Sequence, residues 1–241
     1  MLRRIFKKKK KGTSYSWVEV KNGLFQGKVL YLPDTWGYKV INGDHESEII
    51  DTMKSIVNDK AVFYDIGAHY GWFSMAWLSL GGFHIEAFEP SKDNCNIINE
   101  TLKSNLHSDM VRLHSIALGE KSEKGILELY PDDSSRNFIS KEKAGVKANI
   151  ENIDVKSIDD IYDDLNLKNP DLIKIDVEGF EKEVLTGAKN LLIKEKPKLI
   201  IEIHDVLNGL FAADFLSNLD YKMEILGYKG KNQNLPLVLW Y

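Results

Sequence analysis

A short loop in the first half of the chain has the residue types and spacing that point most clearly to chemistry. Residues 61–74 read AVFYDIGAHYGWFS, in which Asp65 precedes Gly67 and Gly71. Glycine tolerates positive φ and lets another molecule approach the backbone closely. An acid ahead of the glycines suits a ligand with a cationic group, and S-adenosylmethionine, which has an ammonium on its methionyl end, is such a ligand. Alternatively, the glycines form a turn that packs a strand closely against a helix.

A second acid, Glu89, follows 24 residues after Asp65 and precedes Pro90. It ends the next predicted strand, where an acid in a doubly wound sheet hydrogen-bonds the hydroxyls of a ribose. A carboxylate suits this role because it accepts from two hydroxyls at once. The alternative is a solvated acid at a strand end. Because both acids follow parallel strands, the topology predicts that they lie in one crevice.

Strands that alternate with helices must position these residues. Runs of β-branched and aromatic residues predict core strands over 61–64, 83–90, 111–117, 171–179 and 198–204, then an antiparallel pair over 221–226 and 235–240. Apolar residues at helical spacing predict helices over 47–57, 72–80, 93–106, 157–165, 180–194 and 206–219. This alternation indicates a doubly wound, mostly parallel α/β sheet with its ligand site at the carboxyl ends of the strands.

The chain divides into three predicted parts. Residues 1–12 form a basic, disordered tail, residues 13–42 an N-terminal β-hairpin extension, and residues 43–241 the main α/β domain. Within this domain, β pieces over 125–130 and 152–155 flank a polar stretch, 131–149, which is a candidate lid over the substrate because long loops are often functional.

The charge is distributed unevenly. Residues 2–11 (LRRIFKKKKK) have seven of the 32 basic residues, which leaves 25 basic residues against 36 acidic ones. The acidic body argues against nucleic-acid binding, which requires a basic face. The tail either keeps the chain soluble or makes weak contact with an anionic membrane. Since the sequence has one cysteine and no long apolar run, we expect a cytoplasmic protein without disulfides.

Four motifs together resemble the FkbM-type S-adenosylmethionine-dependent methyltransferases. They are DIGAHYGWFS, AFEP, IKIDVEGFEKEVLTGA and IIEIH, and the resemblance covers about residues 43–205. It implies a Rossmann-like sheet of seven strands with one reversed strand, and methyl transfer to a hydroxyl of a sugar or a small natural product. The family more often has a small polar pair, beginning with Asn, where this chain has His69 and Tyr70. This departure leaves open whether His69 contacts the cofactor through its side chain or its backbone.

On this fold, acids and a histidine meet beside the expected methyl group. Asp176, Glu178 and His204 lie at or just beyond the ends of neighbouring strands, where they are candidates for a general base or for anchors of the acceptor hydroxyl. Alternatively, they hold the local loop and helix. Strand alternation predicts that Lys174 is buried and pairs with Asp176 or Glu202. An acid and histidine cluster can hold a divalent metal, but no ligand spacing in the sequence demands one, so no metal site is predicted.

The predicted cofactor pocket combines the glycine loop with the ends of the next two strands. Its candidate residues are Asp65, Gly67, Ala68, His69, Gly71, Glu89, Pro90, Ser115 and Ala117. The expected cofactor is S-adenosylmethionine and the expected partner is a small-molecule or glycan acceptor. Two other functions stay open, a nicotinamide-dependent oxidoreductase and a non-catalytic binding module. The first is disfavoured because the loop lacks G-x-G-x-x-G.

Overall fold

The computed structural model describes residues 8–9, 14–42, 46–130, 137–140, 149–227 and 237–241. Within these ranges the strands are β1 (Lys8–Lys9), β2 (Ser14–Glu19), β3 (Val29–Pro33), β4 (Val62–Ile66), β5 (His84–Phe88), β6 (Val111–His114), β7 (Ala117–Leu118), β8 (Glu123–Leu129), β9 (Phe138–Ser140), β10 (Asn149–Lys156), β11 (Leu172–Ile175), β12 (Lys198–Glu202), β13 (Met223–Gly227) and β14 (Leu237–Trp240). The helices are α1 (Asp34–Val40), α2 (Ser47–Lys54), α3 (Trp72–Ser79), α4 (Lys92–Ser104), α5 (Ile158–Ile161), α6 (Glu181–Gly187), α7 (Lys189–Glu195) and α8 (Val206–Ser217). Of these helices, none combines the length and apolar character that a bilayer span requires.

A seven-stranded sheet is the centre of the fold. Its order is β13-β14-β12-β11-β4-β5-β6, and β14 alone runs against the other strands. This arrangement agrees with the predicted mostly parallel sheet with one reversed strand. The chain builds outward from β4 in one direction through β5 and β6, and in the other through β11 and β12. Because the connections diverge between β4 and β11, a crevice opens at their carboxyl ends.

The sheet is covered on both faces, and its central strands are buried along their whole length. All residues of β4 and β11 are buried. On one face, Phe63 shares a core cluster with α2, α3 and α4. On the other face, Tyr64 shares a second cluster with α5, α6, α7 and α8. Successive strand residues point to opposite faces, so each strand contributes to both clusters and fixes the two helical layers.

The predicted N-terminal hairpin forms and packs beside α4. Strands β2 and β3 pair antiparallel, and the Tyr31 N–H donates to Thr101 Oγ1 over 3.0 Å. Helix α1, which the sequence patterns did not predict, follows directly. Strand β1 pairs with β2, so the disordered tail predicted over 1–12 is wrong at Lys8 and Lys9. The other tail residues lie outside the described ranges, and contact with an anionic membrane stays a prediction.

A smaller sheet lies beside the carboxyl ends. The β pieces predicted over 125–130 and 152–155 are confirmed as β8 and β10, but their pairing with β7 and β9 in one sheet was not predicted. The strand predicted over 111–117 is two strands, because β6 ends at His114 and β7 joins β10 in a second sheet of order β7-β10-β8-β9. Most of the predicted lid, 131–136 and 141–148, lies outside the described residues. Its described part includes β9, which pairs with β8. The split of the third predicted strand therefore brings a second β layer to the crevice.

The helix predicted over 180–194 is divided into α6 and α7 at Ala188. The new helix start is capped by Asp159, whose carboxylate accepts from the N–H groups of Asn190 and Leu191 over 2.8 and 2.9 Å. Gly187 lies so close to Gly119 that a Cβ atom there would overlap the Gly119 carbonyl oxygen. This close approach anchors α6 beside β7, and α6 presents Glu181 toward the crevice region.

Candidate active site

The glycine loop turns sharply at the carboxyl end of β4. Gly67 and Gly71 both have φ near +78°, in the left-handed region that favours glycine. The N–H groups of Gly67 and Ala68 donate to the Phe88 carbonyl over 3.0 and 3.1 Å. A Cβ atom on Gly67 would overlap the carbonyl oxygen of Asp176. The loop therefore ties the ends of β4, β5 and β11 together, and Gly67 is required for that approach.

Asp65 is buried in β4, and its side chain does not line the crevice. Its carboxylate is wholly buried, and Oδ2 accepts from the Ser74 hydroxyl over 2.6 Å. Burial raises the pKa of Asp65, while the Lys174 ammonium and the Ser74 hydrogen bond oppose that rise. The sequence predicted that Asp65 takes part in the methionyl-end pocket. In the structure, its carboxylate instead binds Ser74 of α3, and Asp65 is not among the residues that line the cavity.

Glu89 ends β5 with a carboxylate that is buried and held by several donors. Its Oε2 accepts from the His69 N–H over 2.8 Å, and its Oε1 accepts from the Ser91 N–H over 2.8 Å and from Asn94 Nδ2 over 3.2 Å. Burial raises the pKa of Glu89 to about 7, although these hydrogen bonds oppose the shift. The carboxylate is thus fixed in position and titrates near neutral pH.

The His69 backbone is in the left-handed region, with φ near +52°. Its N–H binds Glu89, and its ring packs against Tyr70 at 3.7 Å between centroids and against Trp36 at 5.1 Å. The backbone of His69 therefore supports the Glu89 carboxylate, while its ring forms an aromatic wall with Trp36.

A cavity of about 270 Å³ lies at the carboxyl ends of the central strands. Seven predicted site residues line it: Gly67, His69, Glu89, Pro90, Ala117, Asp176 and Glu178. The other predicted residues are described but lie outside its lining: Asp65, Ala68, Gly71, Ser115 and His204. Gly71 instead begins α3, where a Cβ atom would press on Ile98, and Ser115 is exposed between β6 and β7.

Several lining residues were missed by the sequence patterns. They are Trp36 and Glu46 from the segment before β4, Asn94 from α4, Leu127, Phe138 and Ile139 from the second sheet, and Glu202 from β12. Glu202 was considered only as a partner of Lys174, although its place at the end of a core strand beside Asp176 indicated a position in the crevice. For the residues of α1 and the second sheet, no local pattern showed where they would pack.

Lys174 and Asp176 form the ion pair that strand alternation predicted. Lys174 Nζ lies 2.8 Å from Asp176 Oδ2, and the Lys174 side chain is 1% exposed. The ammonium also lies 4.6 Å from the centroid of the Phe73 ring. Burial raises the pKa of Asp176, but the Lys174 ammonium and His204 lower it further, so the net pKa is below its usual value. Asp176 is therefore an ionised carboxylate with one oxygen committed to lysine.

His204 is held by a buried acid that the sequence interpretation did not assign to the site. His204 Nδ1 lies 2.7 Å from Glu181 Oε1, which also accepts from the Gly179 N–H over 3.0 Å. His204 Nε2 faces Glu178 Oε2 at 3.4 Å and Asp176 Oδ1 at 3.5 Å. Burial would lower the pKa of His204, but these carboxylates raise it to about 9. At neutral pH the imidazole is a donor, and Glu181 fixes its orientation.

Glu178 and Glu202 complete a crowded group of acids. Burial is the largest cause that raises the pKa of each to about 7, and repulsion from Asp176 adds to it. Asp176, Glu202 and His204 each offer one metal-ligand atom within 4.8 Å of the others. The sequence predicted no metal site, because three positions spread over β11, β12 and the loop after β12 have no local ligand spacing.

Three comparisons place this geometry among known proteins. The family model described as the methyltransferase FkbM domain matches residues 65–229. The chain is 26% identical over 196 residues to the hexuronic acid methyltransferase AglP of Haloferax volcanii, covering 80% of this chain and 76% of that protein. It is 27% identical over 198 residues to the AMB antimetabolite synthetase AmbE of Pseudomonas aeruginosa, but the match covers 66% of this chain and only 9% of AmbE.

A solved structure supports the same fold. The methyltransferase FkbM from Methylobacillus flagellatus aligns with a TM-score of 0.56 and 20% sequence identity. The alignment covers 85% of this chain and 53% of that one. The chain thus spans about half of that structure, and the likeness concerns the fold.

Proposed function

Because the chain belongs to the FkbM methyltransferase family, we propose that it transfers a methyl group from S-adenosylmethionine to a hydroxyl of a saccharide or a small natural product. The observation that carries this proposal is one cavity with two unlike ends. Glu89 lies at one end, and Asp176 and Glu178 lie at the other. The hexuronic acid methyltransferase of H. volcanii supports a saccharide as the acceptor class.

The Glu89 end fits S-adenosylmethionine. Glu89 Oε2 accepts one hydrogen bond, from the His69 N–H, so a carboxylate lone pair is left for a ribose hydroxyl. Phe88, Ile116 and Leu118 contribute apolar surface to the same cavity, which suits an adenine ring. The acceptor binds at the opposite end, between the carboxylates and the aromatic wall of Trp36.

When bound, S-adenosylmethionine supplies an electrophilic methyl group, and its carbon–sulfur bond breaks as the acceptor oxygen bonds to that carbon. Glu178 takes the hydroxyl proton, because its carboxylate is 35% exposed and lines the cavity. Asp176 accepts a hydrogen bond from the acceptor and is held in place by Lys174. Placing the acceptor in line with the methyl group contributes much of the rate.

Calorimetry with S-adenosylmethionine, S-adenosylhomocysteine and NAD tests the cofactor, and transfer of a labelled methyl group to neutral and hexuronic methyl glycosides tests the reaction. We expect both adenosyl ligands to bind and NAD not to bind. Glu178→Gln should keep the affinity for S-adenosylhomocysteine while kcat falls about 100-fold. The matched control is Glu120→Gln, which changes an exposed acid in a loop.

Two results would contradict the proposal in different ways. Binding of NAD without either adenosyl ligand would indicate an oxidoreductase. Binding of the adenosyl ligands, with no label transferred to any glycoside or to a small-molecule extract, would indicate a non-catalytic module on this fold.

A further inference from the structure

We propose that Asp176, Glu202 and His204 bind one divalent metal ion at the acceptor end of the cavity. One imidazole nitrogen and two carboxylate oxygens form a mixed ligand set that suits Mn²⁺, Fe²⁺ or Zn²⁺. The three residues follow or end β11 and β12, which are paired neighbours in the central sheet. Sheet pairing therefore holds the ligands together, whatever their separation in sequence.

The distances fit a metal site that closes slightly on binding. His204 Nε2 lies 3.5 Å from Asp176 Oδ1 and 4.0 Å from Glu202 Oε1. Ligand atoms that each lie about 2.1 Å from one ion are about 3.0–3.5 Å apart at neighbouring coordination positions. A shift of a few tenths of an ångström in the Glu202 side chain, which is 27% exposed, brings it into that range. Asp176 and Glu202 both line the cavity, so water or an acceptor oxygen can complete the coordination.

Neighbouring residues orient two of the three ligands. Glu181 holds His204 Nδ1, so Nε2 is the nitrogen presented to the carboxylates, and a bound ion takes the place of the Nε2 proton, which leaves to solvent. Lys174 takes Asp176 Oδ2, which leaves Oδ1 facing the same point. A carboxylate behind a metal-binding histidine fixes its ring and raises its basicity, and such a partner is a regular feature of metal sites.

Glu181 is the independent observation that points to a cation. Its side chain is wholly buried, and its Oε2 has no hydrogen-bond partner in the described part of the chain. A buried carboxylate that lacks full compensation is costly unless positive charge lies close by. Among the described residues around this point, the carboxylates of Asp176, Glu178, Glu181 and Glu202 outnumber the nearby cationic side chains, of which Lys174 and His204 make direct contact. A divalent ion supplies the missing positive charge.

The role of the ion in catalysis rests on the proposed function, whereas its binding does not. A metal at this place contacts the acceptor oxygen and makes its hydroxyl more acidic, so that Glu178 takes the proton more readily. The methyl carbon still leaves sulfur for oxygen, and the ion undergoes no redox change.

The test is Mn²⁺ binding to the full chain, freed of metal with a chelator and measured by electron paramagnetic resonance without any adenosyl ligand. We expect one Mn²⁺ per chain. Glu202→Gln, which removes a ligand, and Glu181→Gln, which removes the support of His204, should each weaken binding about 10- to 100-fold. Glu224→Gln, an exposed acid on β13, should leave the affinity unchanged. Thermal unfolding without metal checks that each variant is folded.

The outcomes separate binding from catalysis. Absence of stoichiometric Mn²⁺ binding, or Mn²⁺ binding that both Glu202→Gln and Glu181→Gln leave intact, overturns the site. If Mn²⁺ binds as expected but methyl transfer proceeds at the same rate in chelator, the site stands and its catalytic role is overturned. If no acceptor is methylated at all, the resonance experiment still decides the metal site by itself.

Discussion

The two ends of the cavity differ in how completely their charges are satisfied. At the cofactor end, both oxygens of Glu89 accept hydrogen bonds from backbone or amide donors, and the surrounding side chains are largely apolar. At the proposed acceptor end, carboxylates outnumber cations; Glu178 and Glu202, like Glu89, have their pKa raised to about 7, chiefly by burial, and repulsion from Asp176 adds to it there. At the first end the carboxylate is held by donors from its own loop and strand end, whereas the second end has an excess of carboxylates over cations.

This difference follows from how each end is assembled. The loop after β4, the end of β5 and the segment that enters β7 form the proposed cofactor end, all within residues 67–118. The acceptor end combines β11, β12, α6 and the segment before β4, which only the tertiary fold brings together. The Glu89 end is preformed, which suits one constant ligand, the proposed cofactor. The end with surplus negative charge suits a site that an acceptor or a metal ion completes.

Gly67→Ala should have the largest effect, because the Gly67 backbone packs directly against the Asp176 carbonyl, where the two ends of the cavity meet. A Cβ atom there would overlap the Asp176 carbonyl, and φ near +78° is itself unfavourable for alanine. We expect a loss of more than about 5 kcal/mol in the free energy of unfolding, enough to leave little folded protein. Gly81→Ala is the matched control, since Gly81 has φ near +91° with open space around it and should lose about 1–2 kcal/mol. If Gly67→Ala and Gly81→Ala lost equal stability in urea denaturation, the close contact between Gly67 and Asp176 would not be required for the fold.

Lys174→Met tests whether the acceptor end depends on its buried cation. Methionine fills a similar volume but leaves Asp176 and the nearby Asp65 without their shared positive charge. Removing one partner of a buried pair costs about 3–5 kcal/mol, and we expect that loss in urea denaturation at pH 7. Lys198→Met, at the exposed start of the neighbouring strand β12, should change stability by less than about 0.5 kcal/mol. A Lys174→Met protein as stable as the parent would mean that the acceptor end needs no compensating cation.

The same contrast explains what the sequence could predict. Period-two alternation and the glycine loop are local patterns, so they predicted the central strands, the place of Glu89 and the pairing of Lys174 with Asp176. The second sheet and α1 depend on packing partners far away in sequence, so Trp36 and Phe138 were missed. Glu181 was not assigned to the site, because its contact with His204 spans two elements. Asp65 was placed in the pocket by its spacing, but the turn at Gly67 buries it under the loop.

Glu89→Gln should weaken cofactor binding without removing the fold. Glutamine has nearly the same shape, but its NH₂ group faces donors where a carboxylate accepted them, and a neutral acceptor binds hydroxyls less strongly. We expect the affinity for S-adenosylhomocysteine to fall about 10- to 100-fold in calorimetry. Glu100→Gln, on the exposed side of α4, serves as the matched control. If Glu89→Gln left the affinity unchanged, Glu89 would not bind the ribose, and the cofactor would be held at this end by apolar contacts alone.

The smallest expected effect is a pH dependence of binding at the cofactor end, measured with adenosine because adenosine has no group that titrates between pH 5.5 and 8.5. The pKa of Glu89 is raised to about 7, chiefly by burial and further by the charge of Asp65, while His69, Ser91 and Asn94 donate to its carboxylate. Below that pKa the carboxyl holds a proton, which must leave before Oε2 can accept from a ribose hydroxyl as a charged acceptor. Affinity should therefore rise with pH through about 7 and then level off, by up to about fivefold, since a charged acceptor is stronger than a neutral one by about 1 kcal/mol. Glu89→Gln should give an affinity that does not change with pH.

The opposite result, a wild-type affinity that rises as the pH falls, would mean that the protonated Glu89 carboxyl is the form that binds. The proposed cofactor end would then resemble the proposed acceptor end, since both would bind their ligand only after their negative charge is reduced.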